Sequence, residues 1–300
     1  MMSLSLDNRV AVVTGAGRGI GRAVAMKLAE MGASVVVNDL GVTIEGAGMD
    51  ASPANQVTNE IKANGGKAVA NHDSVADFES AKRIIETAVN QFGKIDILVN
   101  NAGTTAGAPI YELDPKTFAS VVGVHLFGTF NCTRHACVYM KDQGWGRIVN
   151  MVSRAGLWGS PGAAPYGSGK GGIFGFTNVV CRDLAPFGIT VNGVNPAAAL
   201  TRMVTESVDR AKERGLDAAQ AERMLAVAQE PEDVAVVVAF LCTEEAGAIN
   251  GQYFFVQGGS VGLFQPLTVT KTAFKDGRWT LEELAKVAPT FEIPELKALY

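Results

Sequence analysis

Three residues of this chain have the types and the spacing to move a proton. Tyr166 and Lys170 lie four apart, so on a helix they share one face. Ser153 stands thirteen residues before the tyrosine, just past a β-branched run. A free phenol is a poor base near neutrality, because its pKa is about 10. Lowering that pKa by roughly three units takes about 4 kcal/mol of differential stabilisation of the phenolate. A nearby ammonium and the positive ring of a nicotinamide supply it by charge attraction. Lys170 provides the ammonium and can also hold a ribose. Ser153 can hydrogen-bond a substrate oxygen and stabilise charge developing there. The set is suited to taking the hydroxyl proton of an alcohol while a hydride leaves carbon, or to the reverse.

A hydride needs a carrier, and the residues for binding one lie upstream. Thr14-Gly15-Ala16-Gly17-Arg18-Gly19-Ile20-Gly21 follows a strand-like run and opens a helical one. Gly15, Gly19 and Gly21 let the backbone turn sharply and bring bare N–H groups against a pyrophosphate. The helix from Ile20 then offers its positive end to the anion. Asp39, at the end of the second strand, can accept from both adenosine ribose hydroxyls and repel a 2′-phosphate, which selects NAD. Arg18 pulls the other way, toward NADP. A Ser-His-Asp hydrolase is a poor rival, since no histidine follows Ser153. His72, His125 and His135 show no metal-ligand grouping, so no metal is expected.

The elements that must position these groups are legible as alternation. Short β-branched runs over 10–14, 34–38, 68–71, 95–100, 147–152, 190–195 and 252–256 read as strands buried on both faces. Amphipathic stretches over 20–31, 56–63, 77–92, 116–140, 166–187 and 231–242 read as helices between them. The pattern predicts an α/β fold, a doubly wound Rossmann-type parallel sheet with helices on both faces. A chain of 300 residues, 47% apolar, can bury a large core. Residues 1–260 read as one domain holding both sites. Residues 261–300 read as an extension packed on it or on a neighbouring subunit, with a helix N-cap at Thr280.

Together with Asn100-Asn101-Ala102-Gly103, these motifs resemble the short-chain dehydrogenase/reductase family over about residues 7–260. The resemblance implies that Asp73-Ser74-Val75 contact adenine, that Asn101, Ala102 and Gly103 pass beside the cofactor ribose, and that Pro196 and Thr201 lie near the nicotinamide carboxamide. Two departures stand out. His125, in Val124-His125-Leu126, occupies the position of a family asparagine whose backbone carbonyl is thought to hold a relay water. Either that carbonyl works here too, with the histidine as a spacer in a distorted helix, or the imidazole itself joins the relay. Asn195-Pro196-Ala197 replaces the usual Asn-Pro-Gly, which narrows the backbone options beside the cofactor.

Within the family, the chain looks most similar to the (3R)-hydroxyacyl-CoA dehydrogenase part of multifunctional β-oxidation enzymes. That similarity rests on Val35-Val36-Val37-Asn38-Asp39-Leu40-Gly41, the enlarged loop behind it, Gly66-Lys67-Ala68-Val69-Ala70-Asn71, the His125 variant and the long tail. It implies a 3-hydroxyacyl-CoA substrate. The rivals are a free cyclic, terpenoid, steroid or aryl alcohol, an NADPH-dependent ketone reduction, and a dinucleotide sensor without turnover. Met151, Leu157 and Trp158 suggest an apolar wall, while Arg202, Arg210, Lys212, Arg214 and Arg223 are too mixed with acids to form a phosphate clamp. The net charge of −4 argues against a nucleic-acid surface, which would show a basic stripe. No signal-peptide-like segment or membrane-spanning run is seen, and the last residues are not a peroxisomal address. Cys132, Cys137, Cys181 and Cys242 are expected to be buried free thiols, which fits a reducing cytoplasm, and the tail is expected to serve a homodimer or homotetramer.

Overall fold

β1 (Val10–Thr14), β2 (Ser34–Asn38), β3 (Lys67–Asn71), β4 (Ile97–Asn100), β5 (Gly146–Met151), β6 (Ile189–Pro196), β7 (Tyr253–Gln257) and β8 (Ser260–Leu263) form one sheet, ordered β3-β2-β1-β4-β5-β6-β7-β8. This computed structural model describes residues 4–201, 204–206, 208–209, 225, 228–264, 269 and 271–291. All pairings are parallel except β7 with β8. The expected strands fall within two residues of the observed ones. β8 was not expected; it returns from β7 through Gly258-Gly259, where Gly258 takes the φ of +52° that such a hairpin turn needs.

The strands carry apolar residues at successive positions because alternate side chains feed two different cores. Ala11, Val13, Val35, Val37, Ile97, Val99 and Val149 face helices α1 (Gly19–Glu30), α2 (Ser52–Ala63) and α8 (Pro231–Leu241), through Val24, Leu28, Val57, Ile61, Val234 and Val238. Val10, Val12, Val36, Leu98 and Ile148 point the other way. They meet α3 (Phe78–Phe92), α5 (Gly128–Gln143) and α7 (Ala164–Leu184) through Ile84, Ile85, Cys132, Met140 and Leu184. The helix ends follow local chemistry. Asp77 and Asp114 cap α3 and α4 (Pro115–Val122) by accepting from Ser80 and Thr117 N–H, and α3 stops at Gly93 with φ +83°.

The helix expected over 116–140 is not continuous. A π-helical turn, Gly123–Phe127, separates α4 from α5 and carries His125 inward. A short helix α6 (Ala155–Trp158) lies between β5 and α7. Cys132, Cys181 and Cys242 are buried free thiols as expected, but Cys137 is only half-buried, because it lies toward the outer side of α5. Among the described residues no helix is long and apolar enough to cross a membrane.

The chain divides into two units, Met1–Leu263 and Phe264–Tyr300. In the second, Thr280 opens helix α9 (Leu281–Val287) in a capping box. Its Oγ1 accepts from Glu283 N–H at 3.2 Å, and the Glu283 carboxylate accepts from Thr280 N–H at 2.7 Å. Lys275 donates to the same carboxylate at 2.7 Å and lies over the Trp279 ring.

Candidate active site

The order of the sheet reverses direction between β1 and β4, and the candidate residues gather at the carboxyl ends of the strands there. That is the crevice in which open α/β sheets bind ligands. Thr14, the last residue of β1, organises the crevice. Its hydroxyl accepts from Asn101 and Ala102 N–H at 3.0 and 3.1 Å, while Asn101 Nδ2 donates to the Thr14 and Gly15 carbonyls at 2.9 and 3.0 Å. Asn101-Ala102-Gly103 therefore holds the glycine turn in place. Gly15 (φ +62°) could not carry a side chain, since a Cβ there would lie 2.8 Å from Ala102 Cα. A Cβ at Gly21 would run into the Gly15 carbonyl.

The helix behind the turn is left open to an anion. α1 has no side-chain N-cap and no acid in its first turn, so its leading N–H groups keep their positive field for a ligand. Asp39 fixes the neighbouring wall, accepting from Gly17 N–H at 2.8 Å through Oδ2 and from Gly41 N–H at 2.7 Å through Oδ1. Thr201 lies across the turn, near enough that a Cβ at Gly19 would be 2.9 Å from its methyl group. Ile20 is partly buried beside the core, and Arg18 is exposed. These features fit a dinucleotide: a clear cradle, an uncapped helix end and an oriented carboxylate.

Other expected contacts are placed as support. The Asp73 carboxylate is held by Arg83 Nε at 2.7 Å and Asn71 Nδ2 at 3.0 Å, Ser74 Oγ accepts from Ala76 N–H, and Val75 is buried with its carbonyl bound by Asn131. Pro196 ends β6. Ala197 donates its N–H to the Val256 carbonyl at 2.7 Å without a left-handed backbone, so the alanine is accommodated there unstrained.

At the other end of the crevice, Lys170 is buried on α7, and its ammonium donates to the Met151 carbonyl at 2.6 Å. It lies 5.9 Å from the centre of the Tyr166 ring. Burial pushes the Lys170 pKa down to about 7, because the charged form has lost most of its water. Ser153 follows β5, where its hydroxyl accepts from Ala155 N–H at 3.3 Å. His125 is buried with its ring edge-on to Tyr166, the centroids 5.1 Å apart. Met151 is a core residue, Leu157 packs on a small cluster with Val152 and Ile173, and Trp158 is half exposed. Of the five basic residues of the covering segment, Arg202, Arg210, Lys212, Arg214 and Arg223, all lie outside the described residues.

Sequence reasoning missed the polar shell behind the site. Asn100 donates to Asn150 at 2.9 Å and to Thr133 at 3.1 Å, and Asn150 donates to Thr177 at 2.9 Å. Asn38 and Asn71 are bonded likewise at 2.8 Å. The pairing shows only in the sheet register, where both pairs are partners at neighbouring strand ends. Gln229 was missed as well: it is buried, donates to the Val256 carbonyl and accepts from Gly258 N–H, tying the Pro196 turn to β7.

Known proteins share this arrangement. A family profile described as short chain dehydrogenase matches residues 9–212. The peroxisomal hydratase-dehydrogenase-epimerase of Saccharomyces cerevisiae is 45% identical over 206 residues, 69% of this chain but 22% of that protein, so the chain spans about a fifth of that relative. A 3-oxoacyl-[acyl-carrier-protein] reductase of a Synechocystis species is 39% identical over 260 residues, 86% of this chain and 98% of the relative. The crystal structure of a short chain dehydrogenase from Mycobacterium avium superposes with a TM-score of 0.80 at 37% identity, covering 95% of this chain and 94% of that one. With the profile, the full-length relative and the superposed sheet in agreement, the chain belongs to the short chain dehydrogenase family and is an oxidoreductase.

Proposed function

We propose that the protein interconverts a secondary alcohol and a ketone with NAD, its best substrate being a 3-hydroxyacyl thioester carried on CoA. The observation that carries the chemistry is the buried Lys170 beside Tyr166 at the carboxyl edge of the sheet. A bound nicotinamide dinucleotide supplies the hydride acceptor or donor. Gly15, Gly19, Gly21 and the α1 amino end hold its pyrophosphate, with Asp39 on the adenosine ribose and Thr201 and Pro196 toward the carboxamide. Tyr166 takes the alcohol proton in oxidation and returns it in reduction. Lys170 favours the phenolate by its charge, and Ser153 holds the substrate oxygen.

NAD follows from Asp39, whose carboxylate is already oriented by two backbone donors and would face a 2′-phosphate with like charge. The thioester is supported by two relatives of different length. One is named a dehydrogenase and the other a 3-oxoacyl reductase, and 3-oxoacyl and 3-hydroxyacyl thioesters are the two sides of one couple. Reduction of such a ketone is the second reading. We also infer a homo-oligomer, since Phe127, Phe130, Val138 and Val179 leave apolar surface on the π turn, α5 and α7.

A panel of 3-hydroxyacyl-CoA esters and free alcohols, read by NADH and NADPH absorbance, tests the reading. The expected result is faster turnover of the thioesters and higher kcat/KM with NAD, the margin narrowing in Asp39→Ala. Equal efficiency with both cofactors would overturn the Asp39 assignment, and turnover of free alcohols alone would overturn the thioester.

A further inference from the structure

His125 sits where three separate pieces of backbone meet. The π turn Gly123–Phe127 brings it in from the α4–α5 helix, and only 2% of its surface remains exposed. On one side Nε2 lies 2.7 Å from the Thr104 carbonyl, in the loop after β4. Thr104 N is also 3.3 Å from Nε2, but one nitrogen cannot donate and accept at once. The shorter, better contact fixes the tautomer: Nε2–H donates to the carbonyl. On the other side the ring meets Tyr166 at an interplanar angle of 89°.

The surroundings are cut to the shape of this ring. A Cβ at Gly103 would stand 2.5 Å from His125 Cε1, and a Cβ at Gly169 would stand 2.9 Å from His125 Cβ. Gly169 lies between Tyr166 and Lys170 on α7, so α7 and the loop after β4 close on the imidazole together. The same loop is held from outside, where Thr105 N–H donates to the Ile44 carbonyl at 2.7 Å. Thr104-Thr105 is thus pinned between the enlarged loop after β2 and His125.

The geometry speaks against both simpler roles. A proton carrier must charge and discharge near the working pH. Burial, with Lys170 nearby, pushes the His125 pKa down to about 3, and its one N–H points at a backbone carbonyl, which accepts no proton. A spacer needs no hydrogen bond and no glycine clearance on two sides. The main-chain carbonyl of His125 accepts from Thr129 Oγ1 at 2.7 Å and from Gly128 N–H, so it is already engaged within its own helix.

We propose that the His125 side chain is a positioning residue: a neutral imidazole that bolts the Thr104 main chain to the Tyr166 ring and so fixes the phenol beside Lys170. This rests on Tyr166 as the proton-transferring group. The cost of the bolt is visible in His125 Nδ1, which is buried and has no hydrogen-bond partner among the described residues.

The test compares His125→Gln, whose amide reaches the Nε2 position and can donate to Thr104, with His125→Leu, which fills space and donates nothing. His125→Asn, too short to reach Thr104, serves where the leucine variant does not fold. One readout is the ultraviolet difference titration of the phenol, with Tyr166→Phe as the blank that isolates Tyr166. The other is the division between kcat and KM with NAD and the best alcohol of the panel. With NAD bound, the Tyr166 ionisation in His125→Leu should move upward, as the ring drifts from the Lys170 ammonium. Its kcat should fall roughly 10- to 100-fold, the scale of a small misplacement of reacting groups, while the KM for NAD stays within about twofold. His125→Gln should restore both readouts to within several-fold. A leucine variant that titrates and turns over as the unmutated protein does would overturn the bolt. Equal loss in the glutamine and leucine variants, with a neutral inflection gone from the pH profile, would overturn it in favour of the imidazole as proton carrier. Turnover by Tyr166→Phe would overturn the parent assignment instead, whatever the His125 variants do.

Discussion

The two edges of the sheet both bury a cation, and they treat it in opposite ways. At the amino edge Arg147, the second residue of β5, is 3% exposed and donates to the carbonyls of Thr243, Gly146 and Gly188. Its guanidinium also stacks 4.3 Å over Trp145, whose other neighbours are Arg9 and Glu244. Asp96 next to it is buried but accepts from Val10 N–H, Arg9 and Lys94. At the carboxyl edge Lys170 is nearly as buried, yet its ammonium donates to one carbonyl among the bonds described, and the adjacent His125 keeps an unpartnered nitrogen. A charge held by several bonds and a stacked ring is structural. One left short of partners is held ready for a group that arrives later, which is why perturbed, under-bonded residues mark sites of chemistry.

The largest contrast should appear in turnover. Tyr166→Phe removes one hydroxyl and is expected to lower kcat by roughly 10³-fold or more, toward the upper range for general acid–base groups, while NADH binding stays nearly intact. Lys170→Ala should damage both, because it also loses the ribose contact. Stopped-flow turnover and NADH fluorescence titration separate the two effects. Substantial turnover in Tyr166→Phe would erase the functional half of the comparison.

The amino edge should answer with stability instead. Arg147→Met keeps the length of the side chain but leaves three carbonyls without their donor. The loss is expected to be about 3–5 kcal/mol, since each buried acceptor left without its donor costs about 1–3 kcal/mol. Denaturant unfolding measures it. The folded fraction should retain its kcat, since no residue of this edge reaches the crevice. A variant that unfolds normally but turns over poorly would show that the two edges are coupled.

Much of this was readable in the chain, for identifiable reasons. Strand runs such as Val10-Ala11-Val12-Val13 are apolar at every position because both faces of the sheet are covered, and no surface helix gives that pattern. The glycine turn and Asp39 were readable because each does a job that few other residues can do. What stayed hidden depends on distance in sequence. Gln229 meets Val256 and Gly258 across about thirty residues, and the Asn100–Asn150 bond spans fifty. The π turn was legible only through the family resemblance, which implied a distorted helix at His125: helix periodicity in the stretch 116–140 reads the same whether or not one extra residue bulges from it. β8 straddles the expected domain end at residue 260, and its only sequence mark is Gly258-Gly259, a hairpin signal after β7.

The smallest effect gives the finest test, because it compares the two cations through a single variable. Burial holds Lys170 near 7 in the folded, cofactor-free protein, against the ordinary lysine value of about 10.5 once unfolded. The folded pKa is depressed, so between these values the unfolded chain binds more protons, and stability must rise with pH. The slope from one such group is at most about 1.4 kcal/mol per pH unit. The clean window is pH 7 to 8. Above it the buried thiols of Cys132 and Cys242, pushed up to about 12, begin to act the other way, since unfolding frees them to ionise. Unfolding free energy across that window is expected to climb by roughly 1 kcal/mol and to flatten in Lys170→Met, which carries no charge to desolvate. Arg147→Met should change the level of the curve but not its slope, because a guanidinium stays charged throughout. Saturating NAD should flatten the slope too if its ribose, once bound, supplies the missing partners of the ammonium. A slope that survives in Lys170→Met would mean that the lysine is as well satisfied as the arginine, and the contrast between the two edges would be lost.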